Sequence, residues 1–301
     1  MAVEAETFKV VLIAGPTASG KSPLALALAE RRGGVVVNAD AMQVYRELRV
    51  LTARPTPADE ARVPHALYGD VSVAEAHSVA RWRMAALRAI EAARAAGRLP
   101  ILVGGTGFYL KALVEGLAEI PPVPDDVRAE VRRRAATLSA RALHAEVAHR
   151  DPTAAARLAS GDRQRLARAW EVHEATGRPL SEWQRDKTSG APYRFESILL
   201  QPPRATLHDA ADARFARMVA EGALDEARAL MGADLSLPGM KAVGLRELIA
   251  HLGGRMTRAR ATELAQHATH RYIKRQTTWF RHQMQFDHVF EGAEEAASAL
   301  R

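Results

Sequence analysis

Two apolar rhythms alternate along the chain. Short unbroken runs form the first: Val10-Val11-Leu12-Ile13-Ala14, Val35-Val36-Val37-Asn38, Pro100-Ile101-Leu102-Val103 and, much later, Glu196-Ser197-Ile198-Leu199-Leu200. They are too short for helices and predict buried strands, as in a parallel sheet covered on both faces. Between them the period lengthens to that of a helix. Leu24, Leu26 and Leu28, with intervening alanines, follow the first run. The stretch 73–97 puts Trp82, Ala86, Ile90 and Ala93 on one stripe and keeps Arg81, Arg83, Arg88 and Arg94 off it, with Gly97 as a C-cap. A helix from about Thr206 carries Arg214, Phe215, Met218 and Val219 and stops near Gly222; the last long helical stretch runs from about Thr257 to Gln285. Strand alternating with helix predicts an α/β fold with a parallel sheet.

The rhythm breaks between about Pro121 and Pro192. Pro121-Pro122-Val123-Pro124 is a stiff hinge, and several arginine-rich helices follow it. Asp125-Asp126 opens one, followed by Arg128, Arg132, Arg133 and Arg134; another starts near Asp162, carries Arg163, Arg165 and Arg168, and ends around Thr176-Gly177. Residues 121–192 are therefore expected to be an all-helical insertion in a core made of 1–120 and 193–301. Arginine runs usually mark a solvated face, but two clusters in a chain that binds phosphate favour a polyanion.

The phosphate site is the clearest motif. Gly15-Pro16-Thr17-Ala18-Ser19-Gly20-Lys21-Ser22 has the spacing of a P-loop, with a strand before it and helix formers after it. Backbone N–H groups and the positive end of the following helix favour an anion there, Lys21 adds a mobile charge, and the Ser22 hydroxyl suits a Mg²⁺ ion riding on the phosphates. Asp40, at the end of the second run, should face the same crevice. It is read three ways: a Mg²⁺-holding carboxylate, a general base, or a cap for the next helix. Gly104-Gly105-Thr106-Gly107 ends the third run, where paired glycines imply either close approach of a ligand or a tight turn. In the last helix Arg271, Lys274, Arg275 and Arg281 mix with Tyr272, Trp279 and Phe280, which suits base stacking and phosphate contact, or aromatics packed inward under wet cations. His267 and His270 are expected to be ordinary surface histidines.

Composition narrows the picture. Cysteine is absent, which excludes disulfides and Cys-ligated metals and suits a reducing compartment. The acidic start, Met1 to Glu6, is unlike a secretion signal, and no apolar run is long enough to span a membrane. A net charge of +7 points to an anionic partner larger than a nucleotide.

Taken in order, six blocks resemble one family, the tRNA dimethylallyltransferases: 15–22, 38–45, 103–109, Asp162 with 165–171, 241–247 and 274–281. The resemblance implies a P-loop NTPase-like core with a helical insertion. It implies transfer of a dimethylallyl group from dimethylallyl diphosphate to the exocyclic amine of the adenosine immediately 3′ of the anticodon. By the same resemblance residues 15–22 hold the diphosphate with Mg²⁺ on Ser22, and Asp40, Lys21, Thr106 and Arg214 are catalytic, Asp40 as the base. Contacts to tRNA are implied for Asp40, Ala41, Met42, Gln43, Thr106, Arg128, Gln164, Arg165, Leu166, Ala167, Arg168, Lys241, Ala242, Val243, Gly244, Leu245 and Arg246. Ala41, Ser22 and Leu245 depart from the family's usual serine, threonine and tyrosine. A cytoplasmic, bacterial-type monomer is implied. Two enzymatic alternatives are prenyl transfer to free AMP or ADP and a small-molecule P-loop kinase; a tRNA-binding protein without catalysis is a third.

Overall fold

A computed structural model describes residues 8–300; the acidic start Met1 to Glu6 lies outside them. The chain divides into two compact units, residues 1–114 with 191–301, and residues 115–190.

The first unit opens with β1 (Lys9–Ala14), α1 (Lys21–Arg32), β2 (Gly34–Asn38), α2 (Pro57–Arg62), β3 (His65–Ala66), α3 (Val79–Ala95), β4 (Leu99–Gly104) and α4 (Gly107–Glu115). The second holds α5 (Asp125–Thr137), α6 (Ala140–Arg150), α7 (Pro152–Arg157), α8 (Arg163–Thr176) and α9 (Leu180–Arg185). The chain then returns through β5 (Arg194–Leu200), α10 (Arg204–Ala220), α11 (Ala223–Ala229), α12 (Leu245–Leu252), α13 (Arg258–Gln283), β6 (His288–Phe290) and α14 (Ala293–Ala299).

All six strands are parallel, in the order β3-β2-β4-β1-β5-β6. Alternate residues of β1 enter opposite layers: Val10 and Leu12 join Trp82, Ile90 and Phe280, whereas Val11 and Ile13 join Leu24, Leu28 and Ala296. Burial on both faces is why the strand sequences are continuously apolar. The order reverses at β1, because β1 leads to β2 on one side while β4 leads to β5 on the other. Such a reversal leaves a crevice at the carboxyl ends of the strands. A further apolar cluster, including Tyr45, Leu48, Phe215, Met240 and Leu245, seats α10 to α13 against the loop after β2.

Three sequence boundaries move. The helix expected from residue 73 starts at Val79, because the Ser78 side chain accepts a hydrogen bond from the Arg81 N–H and caps it there. The last long helix ends at Gln283, and beyond it the chain rejoins the sheet as β6 and packs α14 on α1, with Ala296 and Leu300 buried. Three residues of strand, two of them exposed, carry too little periodicity to be seen in sequence. The insertion begins at 115 instead of 121, because Leu117 and Thr188 exchange hydrogen bonds of 3.1 and 3.2 Å and tie its two ends together.

Within the insertion, Val131, Leu143, Val147, Leu166, Trp170 and Val172 form the core. Many of its arginines serve that core. Arg134 and Arg150 lie over the Trp170 ring at 4.8 and 4.9 Å, Arg163 donates to the Ala135 and Leu138 carbonyls, and Arg132 meets the buried Glu171 at 2.8 Å. Asp151 is wholly buried and caps two helices, accepting from the Ala154 N–H, the Ser181 N–H and the Ser181 hydroxyl. Burial alone would raise its pKa, but the bonds from Ser181 and Ala154 outweigh it and hold the carboxyl below its ordinary value. Its stabilisation is therefore present above the ordinary carboxylate pKa and is lost as pH falls through the depressed one. Asp151→Ala should destabilise the insertion by about 1–3 kcal/mol, the cost of unsatisfied buried donors, read as faster amide exchange in residues 140–185 at neutral pH.

Candidate active site

The loop after β1 is tight by construction. A Cβ on Gly15 would lie 2.5 Å from Ser19 Oγ and 2.8 Å from the Leu200 carbonyl oxygen. Ala18 and Gly20 both adopt left-handed φ, 66° and 86°. For Ala18 that costs about 1–2 kcal/mol, which neighbouring packing must offset. The Ser19 N–H closes the turn on the Pro16 carbonyl at 3.3 Å, while the N–H groups of Ala18, Gly20, Lys21 and Ser22 have no partner among the described residues. They stand at the positive end of α1, and the Ser19 hydroxyl beside them is buried with no hydrogen bond. An orphaned donor in a left-handed cradle is what a phosphate oxygen requires. No group of three or more His, Cys, Asp or Glu suited to a metal occurs among the described residues. The exposed Ser22 hydroxyl is an oxygen donor of the kind Mg²⁺ accepts.

Around this cradle the charges are coupled. Burial pushes the Lys21 ammonium down to about 8; Asp40 pulls it back up and Arg214 pushes it further down. Arg214, on α10, is likewise lowered by burial and raised by Asp40. Lys21 Nζ meanwhile rests on the Pro16 carbonyl at 3.1 Å. Two cations and one carboxylate thus share one partly desolvated region, where each charge acts more strongly than in water.

Asp40 is held by its neighbours. Its N–H donates to Asn38 Oδ1 at 2.7 Å, and Asn38 Nδ2 donates to the carbonyls of Asp40 and Leu67 at 3.0 Å each. Trp82 fixes Asn38 in turn, donating to its carbonyl at 2.8 Å. Asp40 Oδ1 accepts the Met42 N–H at 2.9 Å within a turn; the next helix, α2, is capped by Thr56, so Asp40 is not a helix cap, and its Oδ2 accepts none among the described residues. Thr106 Oγ1 accepts the Ala41 N–H at 2.9 Å, which joins the turn after β4 to the turn after β2.

The glycines after β4 face protein. A Cβ on Gly104 would strike the Ala39 carbonyl at 2.1 Å, one on Gly105 the Gln276 side chain at 2.3 Å, and one on Gly107 the Trp279 ring at 2.1 Å. Tyr272, Gln276 and Trp279 follow the i, i+4, i+7 spacing of one helical face, and Tyr272 neighbours Thr106. The aromatics of α13 therefore pack inward, Phe280 completely, while Arg271, Lys274 and Arg275 stay exposed. Gln276 was not picked out from sequence; its position on the face of Tyr272 and Trp279, which were read as stacking or inward-packed aromatics, was the available signal.

Other expected residues sort by burial. Gln43 Nε2 donates to the carbonyls of Thr52 and Ala53 at 2.8 and 2.9 Å, so its amine end serves the loop. Leu166, Ala242 and Leu245 have buried side chains and offer no side-chain contact to a macromolecule; Gly244 at φ 90° lies against Phe215. The missing hydroxyl at Leu245 is thus a matter of core packing. Met42 and Val243 are half-buried, Gln164, Lys241 and Arg246 are exposed, Arg128 pairs with Asp125 at 2.7 Å, Arg165 with Asp162 at 3.0 Å and Arg168 with Glu171 at 3.6 Å. Charge also sits differently from expectation. Residues 115–190 hold thirteen Arg and Lys against twelve Asp and Glu, whereas α13 holds six against one. His270 is no ordinary surface histidine either: Nε2 lies 2.8 Å from Asp212, and the ring stacks on His208 at 3.8 Å.

Known proteins of one family resemble this chain over most of its length. The family model described as IPP transferase matches residues 43–283. A tRNA dimethylallyltransferase of Rhodospirillum centenum is 57% identical over 92% of this chain and 90% of its own length, and one of Methylobacterium nodulans is 54% identical over 96% and 97%. Among solved structures, a full-length tRNA isopentenylpyrophosphate transferase of Bacillus halodurans superposes with a TM-score of 0.68 at 32% identity, covering 97% of this chain and 95% of that one. A eukaryotic dimethylallyltransferase acting on tRNA gives 0.78 at 25% identity, covering 91% and 70%.

The Lys21 cation predominates below pH 8, so inorganic diphosphate should bind the free protein more weakly as pH rises through 8, and binding there should take up a proton. Calorimetric titrations of wild type and Lys21→Met should differ most below pH 8 and draw together as pH rises through the higher pKa that bound diphosphate gives Lys21.

Proposed function

The chain belongs to the IPP transferase family, and we propose on that premise that it is a tRNA dimethylallyltransferase using dimethylallyl diphosphate. The acceptor is the exocyclic N6 amine of the adenosine immediately 3′ of the anticodon. Its lone pair forms a bond to the allylic carbon, the bond from that carbon to the diphosphate oxygen breaks with its electron pair leaving on the diphosphate, and Asp40 takes one amine proton.

One observation carries this reading: a carboxylate with an unengaged oxygen shares its electrostatic surroundings with two cations at a phosphate cradle. Residues 15–22 hold the leaving group, Lys21 and Arg214 balance its developing charge, and Thr106 steadies the turn bearing the base. Ser22 would hold a Mg²⁺ ion, which when bound would supply further neutralisation of the leaving group. The adenine amine is a poor nucleophile, so orientation must contribute alongside the base.

The relatives act on tRNA, and that favours a tRNA acceptor over free AMP or ADP, and prenyl transfer over a kinase. The exposed cations of α13, with Lys241, Arg246 and the outward arginines of α5 and α8, serve the RNA phosphates. All the groups invoked come from one chain, which supports a monomer; the tRNA substrate supports a cytoplasmic location. No helix among the described residues is long and apolar enough to cross a membrane.

Incubated with dimethylallyl diphosphate and unmodified tRNA, the protein should add one prenyl unit to that adenosine, detected by mass spectrometry of RNA fragments, whereas ATP should yield no phosphorylated product. Asp40→Ala should lower the rate by about 10²–10⁴-fold with tRNA still bound. Acceptor affinity should fall steeply with salt, and Lys274→Ala with Arg275→Ala should flatten the log–log slope by roughly 0.7–0.9 per lost phosphate contact; a slope near zero in wild type would point to a free nucleotide acceptor.

A further inference from the structure

Gln276 stands apart from every role assigned so far. It is a buried polar side chain in the middle of α13, and both ends of its carboxamide are engaged. Oε1 accepts the backbone N–H of Thr17, in the phosphate cradle, at 2.8 Å, and Nε2 donates to the carbonyl of Gly105, the residue before Thr106, at 2.9 Å. The chemistry fixes the orientation, because the flipped amide would set an NH₂ against an N–H and an oxygen against a carbonyl. The Thr17 N–H is therefore unavailable to a phosphate; it is the anchor of the cradle. Gly105 has no Cβ where Gln276 approaches, since one would lie 2.3 Å from Nε2, so the turn is shaped to receive this side chain.

We propose that Gln276 is a positioning residue for prenyl transfer. A single rigid amide sets the spacing between the loop that holds the leaving diphosphate and the turn whose Thr106 hydroxyl accepts the Ala41 N–H next to Asp40. Trp279, one turn further along the same face, packs against that turn at Gly107. The leaving group and the base are thus registered to one helix, which also carries the exposed cations Arg271 and Lys274. Misplacement of reacting groups by an ångström costs about 10²-fold in rate, which is the scale expected when this bridge is lost. The inference rests on the function proposed above.

The test compares wild type with Gln276→Met, which keeps length and volume but offers neither bond. Wild type must first prenylate tRNA from dimethylallyl diphosphate; if it does not, the proposed function fails, and this inference with it. Given an active wild type, Gln276→Met is expected to lose about 10²-fold in kcat and to raise KM for dimethylallyl diphosphate, with Kd for tRNA within twofold. The loss should shrink in a Thr106→Val background, because Gln276 acts through the same turn. A folded Gln276→Met enzyme with wild-type kcat overturns the proposal, as does a lowered Tm with unchanged kcat per folded molecule. Should that variant not fold, Gln276→Glu keeps the acceptor for Thr17 and loses the donor to Gly105, and the same kcat criterion decides.

Discussion

Parallel pairing of three strands is the constraint on which the rest depends. Ala14 of β1 lies beside Gly104 of β4, and Asn38 of β2 beside Val103, so the strands end level with one another. Whatever follows each strand must then emerge at one edge. The phosphate cradle, Asp40 and Thr106 are distant in sequence yet neighbours in space for this reason alone. A register shift would also turn the alternating residues of β1 into the wrong layers, so the packing that stabilises the sheet and the alignment that builds the site are the same interaction.

A site assembled from separate turns needs bracing, because each turn is free to move on its own. Hydrogen bonds supply it: Asn38 locks Asp40, Trp82 locks Asn38, Thr106 receives Ala41, and Gln276 holds both Thr17 and Gly105. Most of these bonds are between side chain and backbone. They set the position of the main chain, and a cradle built of backbone N–H groups needs that control most.

The charge follows a similar economy of roles. Within the insertion, arginines stack on Trp170, cap carbonyls or neutralise Glu171, and the unit is close to neutral. The net positive charge of the chain resides largely on α13, whose Gln276 braces the turns after β1 and β4 while Lys274 and Arg275 stay exposed. An arginine-rich stretch and a polyanion-binding surface are distinct things, and only the partners of each guanidinium tell them apart.

Much of this was legible in the chain itself. Continuous apolar runs such as Val10 to Ala14 announce doubly covered strands, and the spacing from Gly15 to Ser22 announces the cradle, because periodicity and glycine placement are local properties. The insertion's presence was legible too, from Pro121-Pro122-Val123-Pro124 and the change in composition. What lay beyond reach were long-range partners. The glycines at 104, 105 and 107 suggested approach to a ligand, but they make room for Ala39, Gln276 and Trp279. His270 looked unpartnered until α10 brought Asp212 to it, and β6 is too short to leave a pattern. Sequence alone determined most of the strands and helices and which loop has the P-loop form, since those depend on neighbours a few residues away. Only tertiary structure decided which side chains face the crevice and what each one holds, because those contacts join segments up to 259 residues apart.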